Sequence, residues 1–582
     1  MSEFVVNIEN WGFQVDQDRM GEKEGWFAPT FDASAWMAVK SGAPWDFYDD
    51  ALRGYEGVGW YRIELDGDLL GTDSVHRLKF DGVGGKAKIW CNGELVGQNR
   101  IRYLPFEVAL PKPLLTAAAN VIVVRVDNRA HPQSLPGAAR IEWVLYGGLC
   151  HGVSLVSSTE VRFDWLHLFG TPGDAGGVVD FEFRVVNDSD SRFEASTALS
   201  IDAPDRPRIV VPVTCAPGSA VTCSGRLEVG DIDSWNLDSP RLYTATLALD
   251  VRIPGGPAEM VERFGFRSIA VEANQIILNG NTIFLKGFSR YDEYAPFGSS
   301  PDADVIRRDL IALKNTGANL VRVHYPQSRV HLDIADEIGL LYMQEVPLCW
   351  WRPDPTDELS YHGNLMDEAH EVLERVHARD ANHPSWIIWS MGNENDSWCD
   401  AVKEGMHELM AHAKSLDRSR LLTWVDRHVP EADEYGEADI ISLNLYFGIH
   451  HGSVAYRYDE FESAIGVPTR AALDVVMERY PDRPILMAEF GTGGIQGIRG
   501  ETRYSLDYQA AFNRFTWDTL VSNANVQGCI LWCWADYFHR SSFIGDGGFF
   551  NTPFGPFGVV TVDRQIKWAP YDAIVEMFRE RP

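Results

Sequence analysis

The stretch from Asn382 to Asp396 reads NHPSWIIWSMGNEND. Its centre, WIIWS, is a short apolar and aromatic run of the kind that forms a strand buried on both faces. The run passes through Met391, Gly392 and Asn393, and then a carboxylate, Glu394, stands a few residues from the core. A charge tied so closely to a buried strand is either a salt-bridged rim group or a group held there for chemistry. The rest of the chain decides between the two.

Similar short apolar runs occur at 283–288, 319–323, 341–345, 421–424, 440–443, 485–488 and 526–532, with WIIWS itself at 386–390. Helical stretches separate them. One spans 302–316, where Val305, Ile306, Leu310 and Leu313 recur at helical spacing, and another spans 365–380. Strands alternating with such helices predict parallel βα units, and eight strands is the number a closed (β/α)8 barrel needs. An open doubly wound sheet is the other arrangement, but no GxGxxG follows the first strand.

Before residue 269 the pattern is all-β. Short runs such as GWYRIEL, AKIWCNGELVG and NVIVVRVDN, divided by Gly, Asp and Asn turns, predict a jelly-roll β-sandwich over 1–158. A second β-rich block, 159–268, suits an immunoglobulin-like β-sandwich, and 269–582 is left for the TIM barrel. A chain of 582 residues is too long for one hydrophobic core, which agrees with three units.

The net charge of -31 opposes binding to nucleic acid or anionic lipid through the field of the whole molecule. The N-terminus lacks a basic segment followed by a long apolar run, and no window holds eighteen apolar residues, so a soluble, cytoplasmic protein away from membranes is expected. The eight cysteines form no CxxC pair and have no nearby histidine at zinc spacing. They read as reduced thiols, and neither a metal nor another cofactor is expected.

On a barrel, residues just past the C-terminal ends of the strands line the active face. Glu394 follows the fourth strand, and Glu489, in RPILMAEFG, follows the seventh; the two are expected to face one another across the mouth. Paired carboxylates of this kind suit glycoside hydrolysis, in which one protonates the leaving oxygen and the other attacks the anomeric carbon.

NHPSWIIWSMGNEN and MAEFG resemble the acid/base and nucleophile motifs of glycoside hydrolase family 2, the β-galactosidase and β-glucuronidase family. YGGLCHGVSL, FGFRSI, FLKGFSRYDE, NLVRVHYPQS, ADEIGLLYMQEVP and GPFGVVTVDR extend the resemblance along nearly the whole chain. It implies a retaining β-glycosidase with Glu394 as acid/base and Glu489 as nucleophile, and retention goes with carboxyl groups about 5–5.5 Å apart. It also implies a raised pKa for Glu394 and an ionised Glu489.

The resemblance implies sugar-binding or supporting roles for several other strand-end residues. These are Arg322 and His324 in VRVHYP, Asn393, and Asn444 and Tyr446 in SLNLYFG, with Tyr446 bonded to the nucleophile. Trp532 offers a face for a sugar ring. Asp292, in a loop where Ser289 and Tyr291 replace the family's Asn and His, is expected to contact a sugar hydroxyl. Glu345 resembles an acid of the magnesium site in large β-galactosidases, but Val346-Pro347 follows it without the expected histidine.

Family β-glucuronidases read the sugar carboxylate with Asn-x-Lys. Here the comparable GFFNTPFGPFG carries Asn551 but has Pro553 in place of the lysine. This favours a β-galactosidase, with a β-glucuronidase or β-galacturonidase as the alternative, its carboxylate read by Arg499, Arg503 or His539-Arg540. A carbohydrate-binding protein without catalysis is the rival of another class, which two intact carboxylates oppose. The expected partner is a β-linked oligosaccharide or glycoside, and self-association into a homo-oligomer is in keeping with the family.

Overall fold

The computed structural model describes residues 4–70, 74–136, 141–173, 175–249, 259–352, 365–431, 433–540 and 554–581. Asn551 and Pro553 lie outside them. At the N-terminus, a four-stranded antiparallel sheet faces a six-stranded one. Between them is a core that includes Trp11, Phe13, Trp45, Tyr61, Phe80, Ile89 and Leu155. The six-stranded sheet is centred on Val58–Asp66 and Ala119–Asp127, paired over nine residues.

A second pair of antiparallel sheets, of three and four strands, follows from Val161. Their facing sides bury Phe163, Leu166, Phe181, Phe183, Leu247 and Phe264.

The remaining strands close into a parallel barrel: Leu285–Arg290, Leu320–Val323, Leu341–Glu345, Trp386–Asn393, Leu421–Asp426, Ile441–Asn444, Ile485–Phe490 and Val526–Leu531. The first pairs with the eighth through Leu285 and Gly528, which closes the ring. All eight expected strands form, in the expected order. Strands four and seven, however, are three steps apart around the ring; the strand opposite the fourth is the eighth.

Helices cover the outside. Ala303–Asn315 begins where the Asp302 side chain accepts a hydrogen bond from the Val305 amide at 2.8 Å, and Arg329–Ile338 ends at Gly339, whose φ of 69° is left-handed. No helix among the described residues is long and apolar enough to cross a membrane. All eight cysteines are free thiols.

The stretch 382–396 works at both its ends. At the bottom of the barrel, Asn382 clasps the second sandwich: its Oδ1 accepts from the Leu168 amide at 2.8 Å and its Nδ2 donates to the Leu166 carbonyl at 2.7 Å. Arg267, at the end of that sandwich, donates to the Trp386 carbonyl at 3.1 Å. At the top, a Cβ on Gly392 would come 2.6 Å from the Leu348 carbonyl oxygen, so only glycine lets the third-strand loop approach so closely. One strand thus fixes the sandwich below it and the carboxylate above it.

Candidate active site

Arg322, fully buried on the second strand, organises the barrel mouth. Its Nη1 donates to Glu489 Oε1 at 2.5 Å, and its Nη2 donates to Glu345 Oε2 at 3.0 Å and to Asn393 Oδ1 at 2.7 Å. Four strand ends are tied together by one rigid fork. His324 adds a second link, with Nδ1 2.7 Å from Glu345 Oε1 and Nε2 3.5 Å from Glu489 Oε1. Burial opposes ionisation of Glu345, but Arg322 and then His324 hold its carboxyl below the ordinary range. As Glu345 is therefore an anion, His324 Nδ1 carries the proton they share.

Glu489 is buried and accepts a second bond, from the Tyr446 hydroxyl at 2.7 Å. Burial raises its pKa and the charge of Glu394 adds to the rise, while Arg322, His324 and Tyr446 pull it back toward the anion. The ionised state expected of Glu489 is thus opposed by burial, because a carboxylate at the base of a dry pocket feels desolvation strongly, and is favoured by its three partners.

Glu394 has a different setting. It is half-buried, with a left-handed φ of 53°, a conformation a glutamate rarely adopts outside a site that constrains it. Asn444 Nδ2 donates to its Oε1 at 2.8 Å and Trp350 Nε1 to its Oε2 at 2.8 Å. Among the described residues, both hydrogen bonds to this carboxyl come from neutral groups.

The floor and far wall are aromatic. Trp532 packs edge-on to Tyr291, with ring centroids 5.3 Å apart, and lies 5.2 Å from the His324 ring. Glu142 reaches in from the N-terminal sandwich, where its Oε1 accepts from the hydroxyls of Tyr291 at 2.8 Å and Tyr537 at 2.9 Å. Trp143 beside it lies parallel to the His324 ring at 5.9 Å. Glu142, Tyr537 and Trp350 are absent from the sequence reading. The signal for Glu142 is slight, a single acid in the apolar run RIEWVLYGG, because its place depends on how the sandwich docks on the barrel.

Arg322, His324, Glu345, Asn393, Asn444, Tyr446 and Trp532 therefore converge with the two glutamates. Asp292 does not. Its carboxylate turns toward His331, with Oδ1 3.3 Å from Nε2, on the helix Arg329–Ile338. Burial opposes its ionisation, but His331 holds it below the ordinary range. Past the end of the first strand, Tyr291 points into the pocket and its successor points away. Arg499 lies on an exposed loop in a bidentate pair with Asp507, at 2.9 and 2.6 Å, and none of its hydrogen bonds reaches the cluster.

His324, Glu345 and Cys349 also lie close enough to suggest a cation site. The donors do not suit one: both Glu345 oxygens are engaged, and the Arg322 guanidinium already supplies positive charge at 3.0 Å.

A closed parallel barrel with two differently supported glutamates at its C-terminal mouth is the construction of a glycoside hydrolase. Residues 269–569 match the family model described as "Glycosyl hydrolases family 2, TIM barrel domain", and residues 9–156 match "Glycosyl hydrolases family 2, sugar binding domain". The chain belongs to glycosyl hydrolase family 2.

Among its relatives, a β-glucuronidase of Streptococcus agalactiae is 25% identical over 83% of this chain and 83% of its own length. One from Paenibacillus borealis is 24% identical over 98% of this chain and 95% of its own. Two solved structures share the fold at 23% identity. A β-glucuronidase from Ruminococcus gnavus in complex with D-glucuronic acid has a TM-score of 0.85, covering 99% of this chain and 98% of that one. A β-galacturonidase from Eisenbergiella tayi bound to galacturonate has a TM-score of 0.83, covering 100% and 98%.

Proposed function

We propose that this hydrolase is a retaining, exo-acting β-glycosidase that releases terminal β-linked uronic acids, with Glu489 as nucleophile and Glu394 as acid/base. The contrast between the two glutamates carries the assignment. A buried guanidinium at 2.5 Å from Glu489 favours the anion that attacks, whereas the hydrogen bonds to Glu394 come from the neutral donors Asn444 and Trp350.

In the first step Glu394 gives its proton to the glycosidic oxygen while a Glu489 oxygen bonds to the anomeric carbon, and the leaving group departs as an alcohol. In the second step Glu394 takes a proton from water, the resulting hydroxide equivalent attacks that carbon, and Glu489 is released as carboxylate. Glu142, tied to Tyr291 and Tyr537, brings the N-terminal sandwich against one side of the barrel mouth, an arrangement in keeping with exo action.

The missing Asn-x-Lys motif weighs toward a β-galactosidase. The relatives weigh more: the two described above, aligned along most of the chain, are named β-glucuronidases, and a fold neighbour is named a β-galacturonidase. The carboxylate then needs another reader. His539 stands beside the pocket wall, its Nε2 3.9 Å from Glu142 Oε2, while Arg540 is paired with Glu56 at 3.3 Å.

A panel of p-nitrophenyl β-glycosides tests this. The expected kcat/KM for the better of glucuronide and galacturonide exceeds that for galactoside by at least about 100-fold, since a site built around a charged group rejects the neutral analogue. Preference for the galactoside would overturn the uronide assignment.

A pH profile tests the role of Glu489. Protonated Glu489 cannot attack, so kcat/KM falls on the acid side as pH drops through its raised pKa. Tyr446 favours the anion, so Tyr446→Phe is expected to move this acid limb to higher pH and to lower kcat by roughly 10- to 100-fold, the worth of a hydrogen bond to a charged group. An unmoved limb would mean that another group titrates there.

A further inference from the structure

Beyond the pocket for the terminal sugar, the structure holds a second ring-sized surface on the proton-donor side of the mouth. We infer that Trp398 and Arg427 form a subsite for the leaving group, taking a sugar ring that carries an acidic substituent. The inference rests on Glu394 as proton donor, because the donor touches the glycosidic oxygen and whatever lies beyond that oxygen departs.

Trp398 follows Glu394 by four residues, and its exposure is unlike that of its neighbours. Asn393, Asn395, Asp396 and Ser397 are all buried, whereas Trp398 is 50% exposed. A lone exposed aromatic is ordinary in itself. This one, however, stands on a segment with little freedom to move. Asn395 Oδ1 accepts from the Trp351 amide at 2.7 Å, the Asp396 amide donates to the Trp351 carbonyl at 3.0 Å, and Ser397 Oγ donates to Asp426 at 2.5 Å. An indole presented rigidly on such a loop gives a flat ring a surface at little entropic cost.

The flanks fix its place and its charge. Trp398 meets the His428 ring edge-on at 5.0 Å, and the Arg427 guanidinium lies over the indole, 5.5 Å from its centroid. The Glu394 amide donates to the Val425 carbonyl at 2.7 Å, two residues before Arg427, which joins this surface to the acid/base group. Arg427 and Arg352 both converge on Asp396, at 3.0 and 3.5 Å, so two guanidiniums share one carboxylate. His428 faces the buried Glu434 at 3.2 Å and Asp426 at 4.0 Å on its inner side. The guanidiniums of Arg427 and Arg352 outnumber the one carboxylate they share, and that of Arg427 stands beside the exposed indole. An acidic sugar satisfies both: its apolar face on the indole and its carboxylate or sulfate against Arg427.

The same surface must receive acceptors in the second step, and this gives the test. The enzyme is trapped as its glycosyl ester with the 2-deoxy-2-fluoro glycosyl fluoride of whichever sugar the panel selects, and its reactivation is timed. Methyl β-glucuronide, glucose 6-sulfate and neutral methyl β-glucoside serve as acceptors, and the two acidic ones separate carboxylate from sulfate.

In the wild type, at least one acidic acceptor is expected to speed reactivation roughly tenfold over water and to exceed the neutral sugar. Trp398→Ala is expected to abolish acceleration by all three, Trp398→Phe to keep most of it, and Arg427→Gln to remove only the preference for acid. Reactivation by water alone, timed in each variant, reports whether the fold and the two glutamates are intact. A trapped wild type that all acceptors reactivate no faster than water, or a Trp398→Ala enzyme accelerated as strongly as wild type, overturns the subsite alone. Failure of any ester to form overturns the assignment of Glu489 and the subsite with it.

Discussion

Replacing Glu489 with alanine lowers kcat on every glycoside the enzyme cleaves by at least about 10⁴-fold, the scale on which loss of a covalent nucleophile acts. The expected loss is nearly independent of the leaving group, because the bond to the anomeric carbon is missing whatever departs. Sodium azide fits the space left by the carboxylate and attacks from the same face, so it should restore turnover and give a glycosyl azide of inverted configuration. The Arg322 guanidinium, left facing that space, helps to draw the anion in. Stability should change far less than activity: Arg322 keeps Glu345 at 3.0 Å, and the burial cost of the Glu489 charge is removed. A variant that retains more than a hundredth of wild-type kcat without azide would move the nucleophile elsewhere.

The barrel was legible because strands buried on both faces appear as unbroken apolar runs, and all eight lie where such runs occur. Their upper ends were less so. The fourth strand continues past Ser390 to Asn393 and the fifth past Trp424 to Asp426, since polar residues at the mouth keep pairing while they carry the site. Period alone does not say where the alternation of side chains restarts beyond a strand. At the end of the first strand it brings Tyr291 into the pocket and sends Asp292 to His331, a difference of one residue that reverses the role of each. Glu142 was hidden for another reason. Nothing local to RIEWVLYGG tells that a strand connection of the sandwich will lie against barrel residues Tyr291 and Tyr537; only the docking of the two units does. Contacts of that long-range sort leave no mark in a motif, which is why the motifs specified the chemistry more closely than the sugar.

The corresponding change at the acid/base separates leaving groups. Glu394→Ala should cost alkyl and sugar leaving groups about 10³- to 10⁴-fold in kcat/KM, toward the upper end of what a positioned proton donor contributes. 2,4-Dinitrophenolate departs without a proton, so the first step on its glycoside should be nearly unaffected. The second step still needs Glu394 as base, so the glycosyl ester should accumulate and release of dinitrophenol should show a burst followed by a slow steady rate. Azide needs no base and should remove the slow phase, giving the azide of retained configuration, opposite to the product from the Glu489 variant. Equal losses for dinitrophenyl and alkyl glycosides, with no burst, would mean that Glu394 only positions the sugar. In that case Asn444 and Trp350, which now hold its carboxyl at 2.8 Å each, would be supporting a binding group and the proton would have to come from another residue.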